Sequence, residues 1–171
     1  MSSMPTEARH PEDRFEPAAA GTTTGAERPD RWETWRLYFE TTARLTARIE
    51  ERLKAQGCST MEYQLLLLLY EAPGRRMRLG ELARRLVFSP SRLNYQVRVL
   101  CERGWVQRRR AEGDGRGWEA VLTAEGVQAF RRLRPAHARD VEELFFASLT
   151  DDDVARLGDL MGRVARGLGE A

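Results

Sequence analysis

Three consecutive stretches decide the fold: LGELARRL (79–86), SPSRLNYQVRVLCERGW (89–105) and DGRGWEAVLT (114–123). In the first stretch, apolar residues recur at the three- and four-residue spacing of a short helix. In the second, Ser89 can cap a helix whose first turn accepts Pro90, and Gly104 can end that helix in the left-handed conformation. The sequence therefore predicts two short helices that are joined by a tight turn at Phe88 and Ser89.

A hairpin is predicted directly after the second helix. Residues 105–110 and 117–122 read as two strands, and residues 111–116 form a loop of glycine and charge between them. Residues 76–78 can supply a short third strand. Two helices around a turn, followed by a hairpin, make up a winged helix-turn-helix in which the hairpin is the wing.

Further helices are expected on both sides of this block. Asp30 with Glu33 predicts a capping box for a helix that ends at Gly57, and Ser59 with Glu62 repeats that signature before five consecutive leucines. The leucine-rich helix is apolar on every side, so it should be central.

The helices after the wing are also marked by their caps. Thr123 should begin a long helix that bends at Pro135 and ends near Leu149, and Thr150 should cap the last helix. The fold class predicted is thus mainly α with a small β-wing, a winged helix-turn-helix with N- and C-terminal dimerisation helices.

The chain divides into four predicted parts. Residues 1–29 hold four prolines and no apolar periodicity, which predicts a disordered N-terminal arm without a secretory signal. Residues 30–57 are the N-terminal dimerisation helix, 58–124 the DNA-binding domain and 125–171 the C-terminal dimerisation helices. The longest apolar stretch is far shorter than a membrane span, so we expect a soluble, cytoplasmic protein.

Positive charge is concentrated in the helix-turn-helix block. Residues 75–118 hold twelve arginines and four acidic residues, a net charge of +8 in a chain whose net charge is +2. Clustered cationic side chains on a helix and a hairpin suit the phosphates and base edges of double-stranded DNA. The predicted DNA-binding residues are Ser89, Ser91, Arg92, Asn94, Tyr95, Arg98, Arg108, Arg110 and Arg116.

These residue types suggest a division of roles. Arg92 and Arg98 can pair with guanine, and Asn94 can bind adenine or a phosphate. Tyr95 can pack on a thymine methyl group or bind a phosphate, and the two serines lie where helix amides face the DNA backbone. The arginines of the wing can reach phosphates or a narrow minor groove.

Apolar stripes on the first and last helices predict a homodimer, because one small winged helix cannot cover all of them. A twofold mate would place two recognition helices about 34 to 36 Å apart, which predicts an inverted repeat in the DNA. The predicted interface residues are Trp32, Trp35, Phe39, Phe145, Phe146, Leu157, Leu160 and Leu168.

The stretch from Ser59 to Gly126 resembles the MarR (multiple antibiotic resistance regulator) family of bacterial transcription regulators. The matching pieces are LGELARRL, SPSRLNYQVRVLCERGWVQRR, the wing DGRG and VLTAEG. The resemblance implies a homodimeric repressor of a palindromic site that a small ligand or oxidant releases. It also implies DNA contacts from Ser91, Asn94, Tyr95 and Arg116. Gly80 and Tyr95 depart from the residues common in the family, which leaves the base preference open.

The resemblance further implies a ligand cleft between the dimerisation helices and the DNA-binding lobe. The residues that would line it are Tyr38, Arg44, Arg48, Met61, Tyr63 and His137. Aromatic residues and methionine at helical spacing are also typical of a core.

Three functions other than DNA-binding repression are alternatives for this sequence. The winged helix can serve as a protein interaction module without DNA binding, and Cys58 and Cys101 can make a redox sensor. An enzyme is not expected, since the sequence has no nucleophile and base pair, P-loop or dinucleotide fingerprint. Neither a metal site nor a cofactor is predicted, because the two cysteines lack the paired spacing of zinc ligands.

Overall fold

The computed structural model describes residues 30–111 and 117–169. The predicted N-terminal arm, the wing loop with Asp114 and Arg116, and the last two residues lie outside the described residues. No helix within the two described ranges has the length and apolar character needed to cross a membrane.

The described part of the chain is mostly helical, and the expected mainly α fold with a small β-wing is confirmed. The helices are α1 (Arg31–Ala55), α2 (Thr60–Glu71), α3 (Leu79–Arg85), α4 (Pro90–Glu102), α5 (Ala124–Leu144) and α6 (Asp151–Gly167), and the strands are β1 (Arg76–Arg78), β2 (Val106–Arg110) and β3 (Trp118–Leu122). Single 3-10 turns, Pro73–Arg75 and Phe146–Ser148, precede β1 and follow α5.

The three strands form one antiparallel sheet in the order β1-β3-β2. Met77 of β1 and Arg108 of β2 both lie opposite Ala120 of β3, and Arg110 lies opposite Trp118. The sheet is buried at its base, where Val106 and Ala120 join the core, and its far end carries exposed residues. It therefore projects from the body of the molecule as a wing.

The predicted helix starts are confirmed. The Asp30 carboxylate accepts hydrogen bonds from the Trp32 and Glu33 amides, and Glu33 accepts one from the Asp30 amide. The same reciprocal pair forms between Ser59 and Glu62 at the start of α2. Each capping box satisfies amides that the helix itself leaves without partners.

Helices α1, α3 and α4 end in the same hydrogen-bonded turn, with one residue in the left-handed conformation. Gly57 after α1 and Gly104 after α4 hold this position, with φ of 76° and 71°, as the sequence predicts. After α3 the position belongs to Val87, whose φ is 53°. The turn between α3 and α4 thus begins one residue earlier than the expected turn at Phe88 and Ser89.

The core is built around α2, as its five leucines predict. Leu65, Leu66 and Leu69 are fully buried between the other helices and the sheet. Phe130 of α5 is also buried, and its ring lies 4.7 Å from that of Tyr70. This packing holds α4 and the wing in one unit.

The long helix α5 ends at Leu144, so the expected end near Leu149 is wrong. Pro135 lies inside α5, which continues through it. Phe145 leaves the helical conformation, with φ of −125° and ψ of −59°, and a 3-10 turn follows. Neither glycine nor proline marks this end, so the sequence carries no local signal for it.

An ion-pair cluster joins the ends of α1 and α5. Arg52 donates hydrogen bonds of 2.9 Å to Asp140 and of 2.8 and 2.9 Å to Glu143. The guanidinium group lowers the pKa of the Glu143 carboxyl, chiefly through these bonds. The C-terminal half of α1 is thereby attached to α5.

Candidate nucleic-acid interface

Helix α4 has one face in the core and the opposite face in solvent. Leu93, Val97 and Leu100 recur at three- and four-residue spacing and are buried. The Ser89 hydroxyl accepts a hydrogen bond from the Arg92 amide, and Pro90 follows in the first turn, where its missing N–H is harmless. The apolar spacing thus sets the rotation of α4 and determines which side chains face outward.

The exposed face of α4 carries the polar side chains that the sequence analysis selected for DNA contact. We call this face the outer ridge, and its members are Ser91, Asn94, Tyr95 and Arg98. Tyr95 is 54% exposed, and the Arg98 guanidinium lies 5.4 Å from its ring centroid. The outer ridge and Arg108 of the wing line a cleft of about 560 Å³. The geometry brings α4 and the wing to one surface.

Arg92 lies on the flank of α4 and turns toward α2. Its guanidinium group lies 4.5 Å from the ring centroid of Phe88, and one of its nitrogens is 3.1 Å from the Met61 sulfur. Gln96 also contacts this sulfur, at 3.7 Å. Arg92 is therefore separate from the outer ridge in this conformation.

The arginines of the wing are divided between two faces of the hairpin. Because side chains alternate along a strand, Arg108 and Arg110 lie on one face of β2 and Arg109 lies on the other. Arg109 pairs with Glu119, a carboxylate only 6% exposed, at 2.7 Å. Arg108 and Arg110 lie over the ring of Trp118. The role expected for Arg116 concerns a residue outside the described part of the chain.

A second cleft, of about 580 Å³, lies on the other side of Arg108. It is bounded by α3, the start of α4 and the end of the wing. Cationic residues Arg78, Arg84 and Arg108 line it together with Asn94 and Trp118. Arginines that precede α4 in the sequence therefore share a surface with α4.

Two arrangements of arginine on tryptophan were missed by the sequence analysis. Arg103, just after α4, bonds Glu62 at 2.8 Å and the Gly57 carbonyl at 2.6 Å, and it lies 3.8 Å from the ring centroid of Trp105. It ties the end of α4 to the turn between α1 and α2. On the wing, Arg108 and Arg110 contact the ring of Trp118 in a similar way. The signal for this second contact was the strand register, which places Trp118 opposite Arg110.

The residues expected to line a ligand cleft occupy three places. The rings of Tyr63 and His137 are in contact, with centroids 4.1 Å apart and planes tilted by 48°, at the junction of α2 and α5. Met61 faces α4, as described above. The other three, Tyr38, Arg44 and Arg48, are exposed on α1. The structure brings Tyr63 and His137 together and leaves the others apart.

Buried polar atoms lie on the same two helices as this aromatic pair. In the part of the chain that the structure describes, Thr60 Oγ1, His137 Nδ1 and Asp140 Oδ2 are buried without a hydrogen-bond partner. Burial lowers the pKa of His137, and the nearby Asp140 opposes this effect. Burial at this junction therefore favours the neutral imidazole.

Neither cysteine lies in surroundings that favour a thiolate. Burial raises the pKa of the Cys58 thiol to about 12, with a further contribution from Glu62. Burial also raises the pKa of Cys101, and Arg108 only partly offsets it. Across residues 30–111 and 117–169, no three His, Cys, Asp or Glu side chains come together as a metal site would require.

The residues predicted at a dimer interface lie on α1, on the turn after α5 and on α6. Trp32, Trp35 and Phe39 are exposed on the first turns of α1, and Leu160 and Leu168 are exposed on α6. Phe145, Phe146 and Leu157 are half-buried. No described residue of α6 is buried. Both ends of the fold thus present large apolar side chains to solvent.

Comparison with known proteins agrees with this architecture. A family model described as MarR family matches residues 56–117. The HTH-type transcriptional repressor YetL of Bacillus subtilis (strain 168) is 25% identical over 131 residues, covering 74% of this chain and 78% of that protein.

Two solved structures extend the match over the described helices. AbsC, a MarR family transcriptional regulator from Streptomyces coelicolor, is 30% identical with a TM-score of 0.78, over 85% of this chain and all of that one. Sco3205, a MarR family regulator of the same organism whose structure is in complex with DNA, is 36% identical with a TM-score of 0.77, over 82% of this chain and 94% of that one. The chain therefore belongs to the MarR family of transcriptional regulators.

Proposed function

We propose that this protein is a homodimeric, sequence-specific DNA-binding repressor. The observation that carries the proposal is the shared surface of α4 and the wing, where Asn94, Tyr95 and Arg98 project beside Arg108. An α-helix with an exposed polar face fits the major groove, and the wing arginines suit the adjacent phosphates. The relatives support this reading, since YetL is named a repressor and Sco3205 was solved with DNA.

The homodimer follows from the exposed apolar ends of the fold. Large apolar side chains are exposed on α1, at Trp32, Trp35 and Phe39, and along α6. A monomer in water rarely exposes apolar patches of this kind. A second copy of the chain would cover both under twofold symmetry. The two copies of α4 would then meet an inverted repeat with half-sites about one helical turn apart.

Different contributions are expected from the outer ridge and the wing. Asn94 lies on the face that would meet base edges, so Asn94→Ala should weaken binding to the preferred duplex more than to a scrambled one. Arg108 lies on the wing, so Arg108→Gln should weaken binding to both duplexes and reduce the slope of log affinity against log salt by about 1.

These expectations can be measured by fluorescence anisotropy. The preferred duplex would be obtained by selection from a random-sequence library with the wild-type protein. Arg132→Gln, an exposed arginine on α5, is the matched control for the loss of one charge. Failure of the wild type to retain any duplex would contradict the proposal and favour the protein interaction module.

A small-molecule effector is proposed to bind at the junction of α2 and α5. The rings of Tyr63 and His137 pack together here, and the unpartnered His137 Nδ1 and Asp140 Oδ2 are the polar atoms that would bond a small molecule. A thermal-shift screen would identify small molecules that stabilise the protein, and each would be tested for release of DNA. Stabilisation should be lost in Tyr63→Ala, whereas an equal shift in both proteins would contradict binding at this junction.

A further inference from the structure

The wing carries a tryptophan between two arginines. The guanidinium carbons of Arg108 and Arg110 lie 4.5 and 4.4 Å from the ring centroid of Trp118. Trp118 lies directly opposite Arg110 in the sheet, and Arg108 is two residues along the same strand. The three side chains therefore share one face of the hairpin.

On the opposite face of the hairpin, the arginine forms an ion pair. Arg109 bonds the Glu119 carboxylate at 2.7 Å, and Glu119 is nearly inaccessible to solvent. A charge-assisted bond of this kind occupies N–H donors of the guanidinium group and neutralises its charge. Arg109 is thus part of the wing's internal structure.

Stacking on an aromatic ring does not by itself prevent a guanidinium group from donating hydrogen bonds. The ring contacts the flat face of the cation, so stacking by itself occupies none of the N–H donors in its plane. It also restricts a side chain that otherwise has many rotamers, so less entropy is lost when the arginine binds a ligand. A stacked arginine is therefore pre-organised to bond an anion.

The position of Arg108 shows where this pre-organisation acts. Arg108 lines both clefts beside α4, the one with Tyr95 and Arg98 and the one with Trp118. Trp118 is 37% exposed, so its ring is only partly packed against the chain. Its aromatic face contacts Arg108, which lies between the wing and the outer ridge.

We propose that Trp118 is a positioning residue that holds Arg108 toward the phosphates of a DNA duplex bound by α4. The inference rests on the proposed DNA-binding function. Trp118 acts through Arg108 and makes no base contact of its own. Its effect should accordingly be the same on any duplex sequence and should depend on salt.

The test compares Trp118→Leu with Trp118→Phe, which keeps an aromatic face. The probe is a fluorescently labelled duplex of mixed sequence, and its affinity is measured by anisotropy from about 50 to 200 mM salt. Since an exposed cation–π contact is worth roughly two- to fivefold in an equilibrium constant, Trp118→Leu should weaken binding about 2- to 5-fold at low salt. It should also reduce the salt slope by about 1, and Trp118→Phe should recover most of both losses.

A double-mutant cycle separates positioning from a general structural effect. If Trp118 acts through Arg108, the loss caused by Arg108→Gln should be smaller in the Trp118→Leu background than in the wild type. Arg132→Gln should cost the same in both backgrounds, and thermal melting of each variant verifies that it is folded. Additive losses for Trp118 and Arg108 would overturn the proposal.

The remaining outcomes distinguish this inference from the function on which it rests. If the wild type binds the duplex and Trp118→Leu binds it with the same affinity and salt slope, the positioning role is wrong and DNA binding stands. The same conclusion follows if Trp118→Phe is as weak as Trp118→Leu. If the wild type binds no duplex at any salt, the proposed function fails and this inference fails with it.

Discussion

Val87 holds the left-handed position that ends α3, where the equivalent turns after α1 and α4 use glycine. The Phe88 amide bonds the Ala83 carbonyl at 2.8 Å and the Val87 amide bonds the Arg84 carbonyl at 3.2 Å, so the turn is formed in full. A β-branched side chain is disfavoured in this conformation. Val87 is also 80% exposed, so burial offsets little of that cost.

We therefore expect Val87→Gly to stabilise the protein. Relief of the left-handed conformation is worth roughly 1 to 2 kcal/mol, and the greater freedom of glycine in the unfolded chain removes part of it, leaving about 0.5 to 1 kcal/mol. Urea denaturation followed by circular dichroism measures the change. Val87→Ala is the matched control, because it keeps a Cβ atom and should remain close to the wild type. Equal stabilisation by both variants would show that the backbone conformation is not the cause.

His137 provides a pH-dependent prediction at the same scale. Burial lowers the pKa of His137 in the folded chain, and Asp140 opposes this effect. At about pH 6.5 and slightly below, the unfolded chain therefore binds this proton more readily than the folded chain does. Its contribution to stability is therefore present above that pH and is lost as the pH falls. The melting temperature should drop more between about pH 7.5 and 5.5 in the wild type than in His137→Gln. Equal drops in the two proteins would contradict this assignment.

At the scale of elements, the junction of the wing with α5 depends on a close approach. The Thr123 hydroxyl donates to the Gly104 carbonyl and accepts from the Gly126 amide, which joins the end of α4 to the start of α5. A Cβ atom at Gly126 would collide with the Trp105 carbonyl oxygen and crowd Leu122. The glycine allows α5 to pack directly against the chain that leads into β2.

Gly126→Ala should accordingly destabilise the protein by about 3 kcal/mol, since the contact is with backbone that cannot easily move. Gly80→Ala is the control within another helix. A Cβ atom at Gly80 meets nothing within 4 Å, and alanine should stabilise α3 by about 0.5 kcal/mol. Thermal and urea unfolding of both variants measure the difference. A Gly126→Ala protein as stable as the wild type would show that the two elements can separate at little cost.

Local chemistry explains which elements could be predicted from the sequence. Some features act only within a few residues and can therefore be recognised in the sequence. They include the capping boxes at Asp30 and Ser59 and the glycines at 57 and 104. The end of α5 at Leu144 and the turn at Val87 carry residues that do not favour those conformations. The local sequence therefore does not reveal either of them.

The candidate site was predictable to a similar degree. The apolar spacing of α4 fixes its buried face, and therefore which polar residues form the outer ridge. The direction of Arg92 toward Met61 depends on the packing of α4 against α2, which spacing alone does not define. The stacking of Arg108 and Arg110 on Trp118 depends on the strand register. Contacts between elements were thus the part that sequence reasoning missed.

At the scale of the whole molecule, the apolar surfaces of α1 and α6 support the proposed homodimer. The stripe on α6 consists of Val154, Leu157, Leu160, Met161, Val164 and Leu168, and none of these is buried in the single chain. Thr150 and Asp153 cap this helix, and their hydrogen bonds lower the pKa of the Asp153 carboxyl. A well-capped helix with one exposed apolar face is suited to association with a second copy.

Leu160→Asp should therefore weaken the homodimer, because it would bury a carboxylate in an apolar interface. Ala155→Asp adds the same charge on the opposite, exposed side of α6 and should leave the dimer intact. Light scattering after gel filtration should give about twice 19.6 kDa for the wild type and the control, and a mass shifted toward 19.6 kDa for Leu160→Asp. A monomeric wild type at micromolar concentration would contradict the proposed assembly.

We propose that two copies of α4 and the wing engage one DNA duplex. Hydroxyl-radical footprinting of the wild-type protein on its selected duplex would show this arrangement. We expect two protected segments related by a dyad, with centres about 10 base pairs apart, and flanking protection that weakens in Arg108→Gln. A single protected segment, or protection without dyad symmetry, would contradict it.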